Sequence, residues 1–180
     1  MSNRSLAAVT AIGNDRPGIV SAVTRVLFET GCNLEDATST ILSGHFSMML
    51  VVRLAEGATP EEVEDRLQPV AEQLDLVIAA RPVAETDSAV EHPTHVVSVY
   101  GGDRPGIVFR VAEHLASIRV NITNLSSRVI GSDEQPVYAL MLEVSAEAGA
   151  TTERLEAGLG GLEHELGVDI TVNEIDPDIL

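Results

Sequence analysis

The order of apolar and polar positions divides the chain into two runs of six elements each. Leu6 to Ile12 is a short apolar stretch closed by turn residues, which predicts a strand. Gly13-Asn14-Asp15-Arg16-Pro17-Gly18 reads as a turn into a helix, with Pro17 near the first helical position. Ile19, Val23 and Leu27, with Val20 and Val26, form the helix's apolar stripe, and Gly31 stops it where positive φ is needed. Asn33 to Leu42 and Phe46 to Leu54 read as strands joined by a hairpin turn at Ser43-Gly44. Thr59, Pro60 and Glu62 have the spacing of an N-cap, a first-turn proline and a capping-box glutamate. Val63, Leu67, Val70 and Leu74 then share one helix face, and Leu76 to Val83 closes the run as a strand.

The second run repeats the first. Thr94 to Tyr100 is strand-like, and Gly101-Gly102-Asp103-Arg104-Pro105-Gly106 is the turn. Val108, Val111, Leu115 and Ile118 give the helix stripe, and Asn121 to Ile130 and Val137 to Val144 are strands around a turn at Gly131-Ser132-Asp133. Thr151 stands as cap to a helix with face Leu155, Leu159, Leu162 and Leu166, which Gly158, Gly160 and Gly161 weaken. Val168, Ile170 and Val172 alternate along a last strand running to Ile175. The polar stretch from Ala84 to Pro93 reads as a linker, giving domains at residues 1–83 and 94–180. Each half is βαββαβ, an α+β unit expected to fold ferredoxin-like, with two helices on one face of an antiparallel four-stranded sheet.

The repetition extends to identity: Asp-Arg-Pro-Gly-Ile-Val occurs at Asp15–Val20 and again at Asp103–Val108. Asn33 and Asn121 likewise open the third element of each half at the same spacing of 88 residues from one another. The chain of 180 residues is 44% apolar but only 3% aromatic, so its cores are built from Val, Leu, Ile and Ala. A net charge of −17, with every basic residue an arginine, opposes direct contact with nucleic acid or an anionic membrane. Cys32 is the single cysteine, which excludes an internal disulfide and fits a reducing cytoplasm. The stretch from Leu6 to Ile12 is too short to span a bilayer, and no signal peptide is read.

Catalytic patterns are missing. The five histidines show no HxH or HExxH spacing, and no nucleophile elbow or phosphate-binding loop occurs, so neither a metal nor a cofactor is expected. The turn offers more. A helix starting at Pro17 and Gly18 presents backbone N–H groups without intrahelical partners, and the helix dipole favours a carboxylate there. Asp15 could take a ligand ammonium, and Asn33 could bond either end of an amino acid; Asp103, Gly106 and Asn121 repeat these roles. The same tetrapeptide also serves as a turn and helix start with no ligand at all.

A βαββαβ unit with Asp-Arg-Pro-Gly after the first strand and an Asn opening the second resembles the ACT domain family, in both halves. A standalone pair of this size is similar to the glycine cleavage system transcriptional repressor group. The resemblance implies a non-enzymatic regulatory protein that binds a small amino acid, glycine or serine, between this loop and a partner domain's strand. The implied site comprises Asn14, Asp15, Arg16, Pro17, Gly18, Ile19, Asn33 and Leu34, with Asp103, Arg104, Pro105, Gly106, Ile107, Asn121 and Ile122 in the second half. It further implies a homodimer, paired edge to edge, signalling to a transcription factor or enzyme in the cytoplasm. The alternative is a regulatory portion or relative of a phosphoserine phosphatase or formyltetrahydrofolate deformylase that lacks the catalytic domain. The two copies are not equivalent: Asn14 becomes Gly102, and Gly31-Cys32 becomes Arg119-Val120. One working site in two similar folds is therefore the expectation.

Overall fold

The computed structural model describes residues 5–84, 92–132, 135–146 and 152–175. The chain divides into two compact units, Met1–Asp87 and Ser88–Leu180. Unit 1 contains β1 (Leu6–Asn14), α1 (Ile19–Glu29), β2 (Asn33–Leu42), β3 (His45–Arg53), α2 (Pro60–Leu74) and β4 (Leu76–Val83). Unit 2 contains β5 (His95–Gly101), α3 (Ile107–Ser117), β6 (Asn121–Ser132), β7 (Gln135–Ser145), α4 (Thr152–Leu166) and β8 (Val168–Glu174). The sheets run β2-β3-β1-β4 and β6-β7-β5-β8, with antiparallel neighbours. Each unit is thus an α+β ferredoxin-like fold.

Alternation decides which sheet face is covered. In β1, Ala7, Val9 and Ala11 are buried; in β3, Phe46, Met48, Leu50 and Val52 are. They share one core with Ile19, Val23 and Leu27 of α1 and Val63, Leu67 and Ala71 of α2. Unit 2 repeats this with Val97, Val99, Leu140 and Leu142 against Ile107, Val111, Leu115, Leu155 and Leu159. Burying each Val, Leu, Ile, Phe or Met among them contributes roughly 1.5–3 kcal/mol, and each Ala less. The uncovered face is left to residues such as Ile12, Met49 and Val77, which are exposed.

Local signals act as the sequence suggests at several ends. Thr59 accepts from the Glu62 backbone while Glu62 accepts from the Thr59 N–H, a complete capping box with Pro60 behind it. Gly31 follows α1 with φ +72°, and Arg119 occupies the matching place after α3 with φ +59°. Ser43 and Gly44 both have positive φ, as a two-residue hairpin turn requires.

Other expectations are corrected. Pro17 and Pro105 lie before the helices, not in their first turns: Gly18 and Gly106 are the N-caps, and Ile19 and Ile107 begin the helices. Positive φ at those glycines ends the turn, so each proline's fixed φ is used two residues before the first helical residue. Val20 is half-exposed rather than part of the stripe, because α1 turns it away from the sheet. Gly131 and Ser132 continue β6 instead of turning. In α2, Ala71 is buried while Val70 and Leu74 pack at the core's edge. The three glycines of α4 do not interrupt its fifteen residues. The expected cap Thr151, the turn residue Asp133 and linker residues 85–91 lie outside the described residues.

Candidate ligand-binding site

The loop after β1 is held from both sides. Asn14 pairs with His45 at the end of the sheet, and the Asp15 N–H donates to the Gly44 carbonyl at 2.9 Å. Ile19 anchors the other side in the core at 1% exposure. Between them Asp15, Arg16, Pro17 and Gly18 are exposed. Gly18 stands at φ +100°, a conformation costing an L residue roughly 1–2 kcal/mol, though the space beside it is open. No side chain caps α1, so its first-turn N–H groups are left for solvent or a ligand. The loop at Asp103, Arg104, Pro105 and Gly106 repeats this geometry, with Gly106 at φ +99° and Ile107 buried. Ile19 and Ile107 can thus serve a ligand only through their backbones.

Asn33 lies elsewhere. It opens β2 opposite Arg53, whereas Asn14 and the loop adjoin His45 at the far end of β3. Eight strand steps separate those ends, about 27 Å. Asn33 Nδ2 donates to Glu35 Oε1 at 3.0 Å, and Arg53 Nε donates to the same oxygen at 3.0 Å. The Asn33 hydrogen bond first, then that from Arg53, holds the Glu35 carboxyl below the ordinary glutamate value. One N–H of the Asn33 amide is therefore committed to Glu35, leaving its second N–H and its oxygen for a ligand. Leu34 beside it is 47% exposed.

Unit 2 shares the plan with different chemistry. Asn121 pairs with Ser145, remote from the Asp103 loop, and Thr123 stands where Glu35 does. Ile122 packs against the core of the unit. Arg104 donates to the Leu166 carbonyl at 3.3 Å, steadying the last turn of α4, a partner that Arg16 lacks among the described residues. The Glu35–Arg53 pair escaped sequence reading because a bulge at Leu34–Asp36 shifts the hairpin register by one. Counting back from Ser43-Gly44 without that bulge misaligns Asn33 and Arg53.

Three cavities among the described residues lie apart from both loops. A cavity of about 440 Å³ lies between the end of α1 and the start of α2, lined by Glu29, Thr30, Glu62 and Arg66. Two of about 230 Å³ belong to unit 2, one on its open sheet face and one between α4 and β8. No group of His, Cys, Asp or Glu able to hold a metal ion occurs among the described residues, and no described helix is long and apolar enough to cross a membrane.

Two tandem ferredoxin-like units, each exposing a glycine N-cap at a helix start beside an acidic residue, are the repeated feature of the chain. The ACT domain pattern matches residues 5–80 and 94–173, and the chain belongs to the ACT domain family. It is 25% identical over 178 residues, covering 98% of this chain and 93% of the relative, to the glycine cleavage system transcriptional repressor of Escherichia coli strain K12. A UPF0237 protein of Methanopyrus kandleri is 41% identical over 69 residues, 38% of this chain and 77% of that protein. Among solved structures, a protein of unknown role from Galdieria sulphuraria superposes with TM-score 0.80 at 23% identity, covering 97% of this chain and all of that one. The fold is therefore shared across the full length, and the chain is a regulatory ACT protein.

Proposed function

We propose that this chain is a non-enzymatic cytoplasmic regulator that binds a small amino acid, glycine or serine, and acts by contact with a transcription factor or an enzyme. The observation that carries the reading is the uncapped start of α1 beneath Gly18, with the Asp15 carboxylate beside it. Donors and dipole suit a ligand carboxylate, and Asp15 suits its ammonium. The full-length likeness to a glycine cleavage system transcriptional repressor supports the choice of ligand and of regulated process.

Asn14, Asp15, Arg16, Pro17 and Gly18 form one half of the site, and Asn33 and Leu34 form the other half on a second copy. β2 is an edge strand whose ten residues are all exposed, Leu34, Ile41 and Leu42 among them. Antiparallel pairing of β2 with its twin sets Asn33 beside the partner's Leu42 end, where the partner's Asp15–Gly44 hydrogen bond holds the loop. Asp103, Arg104, Pro105, Gly106, Asn121 and Ile122 hold the corresponding positions in unit 2, where Arg104 is occupied by Leu166. Isothermal titration of the chain against the twenty amino acids tests the reading. Glycine or serine should give saturable heat that Asp15→Ala and Asn33→Ala each abolish. Flat heats with folded protein would refute it.

A further inference from the structure

Three strands of unit 1 have the sequences of strands buried on both faces, yet helices cover only one face. β1 runs Leu6-Ala7-Ala8-Val9-Thr10-Ala11-Ile12, β3 runs Phe46-Ser47-Met48-Met49-Leu50-Val51-Val52, and β4 opens with Leu76-Val77-Ile78-Ala79-Ala80. A sheet with one wet face alternates apolar and polar residues instead. β8 of unit 2 does so: Asp169, Thr171 and Asn173 stand where β4 has Val77, Ala79 and Arg81. On the open face of unit 1, Ile12, Met49 and Val77 are 52%, 49% and 75% exposed.

Strand register divides that face into rows. One row is Asp36, Val51, Ala8 and Arg81, the next Thr38, Met49, Thr10 and Ala79, and the third Thr40, Ser47, Ile12 and Val77. Asp36 and Arg81 are the charged residues of these three rows. They stand on opposite edge strands, β2 and β4, about 14 Å apart. Asp36 accepts from the Ala37 N–H at 2.7 Å, and Arg81 approaches Glu64 at 3.8 Å with its side chain 75% exposed. In a chain of net charge −17, the three rows together are neutral, with one acid and one base at either end of an apolar row.

We infer that this face packs against the same face of a second copy of the chain. A two-fold axis lying between the sheets and along the strands sets each row on its own copy and exchanges the edges. Asp36 then lies over the partner's Arg81, Arg81 over the partner's Asp36, Met49 over the partner's Thr10, and Val77 over the partner's Thr40. An axis across the strands would set Arg81 over the partner's Val77 and bury both charges unpaired. Unit 2 fits this pose less well, because its Glu143, in the place of Val51, would stand over Ala8 with no cation. Four strands by three rows span about 19 by 20 Å, so pairing buries about 800–1,000 Å² in total, the size of a weak, reversible interface. The surface is separate from the loop at Asp15 and from the backbone edge of β2, and it does not rest on the amino-acid reading.

Sedimentation velocity of the full chain from about 1 to 500 μM tests the pairing, which should appear as reversible association with a dissociation constant on the order of 10–100 μM. Met49→Lys should weaken it at least about tenfold while leaving the thermal midpoint of the dilute protein unchanged, and Val77→Lys gives the same reading if Met49→Lys misfolds. Asp36→Arg and Arg81→Asp should each weaken it about tenfold by setting like charges opposite one another, and the two together should restore it to within about threefold. Pairing along the β2 edge adds a step of its own that the lysine variants leave in place. A mass that the lysine variants leave unchanged at every concentration, or a double charge exchange no tighter than either single one, would overturn the proposal.

Discussion

Replacing Gly158 by alanine tests how α3 and α4 meet. In an ordinary helix interior this change stabilises by about 0.5–1 kcal/mol, since alanine loses less backbone entropy. Here an added Cβ overlaps Nε2 of His114 and stands 3.0 Å from its Cε1. That nitrogen is buried and has no hydrogen-bond partner, so the ring is wedged between the helices with nothing polar to guide it elsewhere. Overpacking of this kind costs about 1–3 kcal/mol. The net effect of Gly158→Ala is a loss of about 1–2 kcal/mol. In a His114→Ala background the obstacle is gone and the same change should stabilise by about 0.5–1 kcal/mol. The coupling of about 2 kcal/mol is well above the scatter of additive pairs. For a unit of this size each kcal/mol moves the thermal midpoint by about 5 °C. Calorimetry on the four proteins of the cycle reads it directly. A higher midpoint for Gly158→Ala alone, or strict additivity, would refute the close approach of the two helices.

Thr59→Ala removes one arm of the capping box of α2 and should lower stability by about 1 kcal/mol in a thermal melt, with Thr59→Ser largely sparing it. Gly13→Ala places a Cβ 2.7 Å from the Asp75 carbonyl, and Gly101→Ala places one 3.0 Å from the Val168 Cα; each should destabilise its own unit by about 1–3 kcal/mol, read by urea unfolding. The Glu35 carboxyl should titrate below the ordinary glutamate range in a carbon-detected NMR titration, and Asn33→Ala should bring it back up. Because the folded value is depressed, the linked stability is present above the unfolded value and disappears as pH falls through the folded one. A titration midpoint unmoved by Asn33→Ala would show that Asn33 does not hold this carboxylate.

How much was legible along the chain depends on whether the cause is local. The hairpin at Ser43-Gly44, the capping box at Thr59 and the stop at Gly31 rest on residues within a few positions of one another, and all three stand as read. Pro17 was misplaced by two residues because the positive φ of Gly18, which sets where α1 begins, is a property of the folded loop. The candidate site was visible as residue types: Asp15 and Gly18 at a helix start, Asn33 at a strand start. Their separation was not visible, because it follows from strand order and from β3 running its full length between them.

The sequence alone determined that the chain is a duplicated βαββαβ unit. Apolar periodicity and a repeated hexapeptide are one-dimensional signals, and a right-handed crossover with antiparallel pairing leaves few folds to satisfy them. Tertiary structure alone decided that each loop stands at the opposite end of its sheet from its asparagine, and that Arg104 is tied to α4 while Arg16 has no such partner among the described residues. It also decided that Asp36, Val51, Ala8 and Arg81 share one row of one face. The physical reason is the same in each case: these neighbours are joined by strand register, and register is set by cores, turns and a bulge far from the residues it brings together.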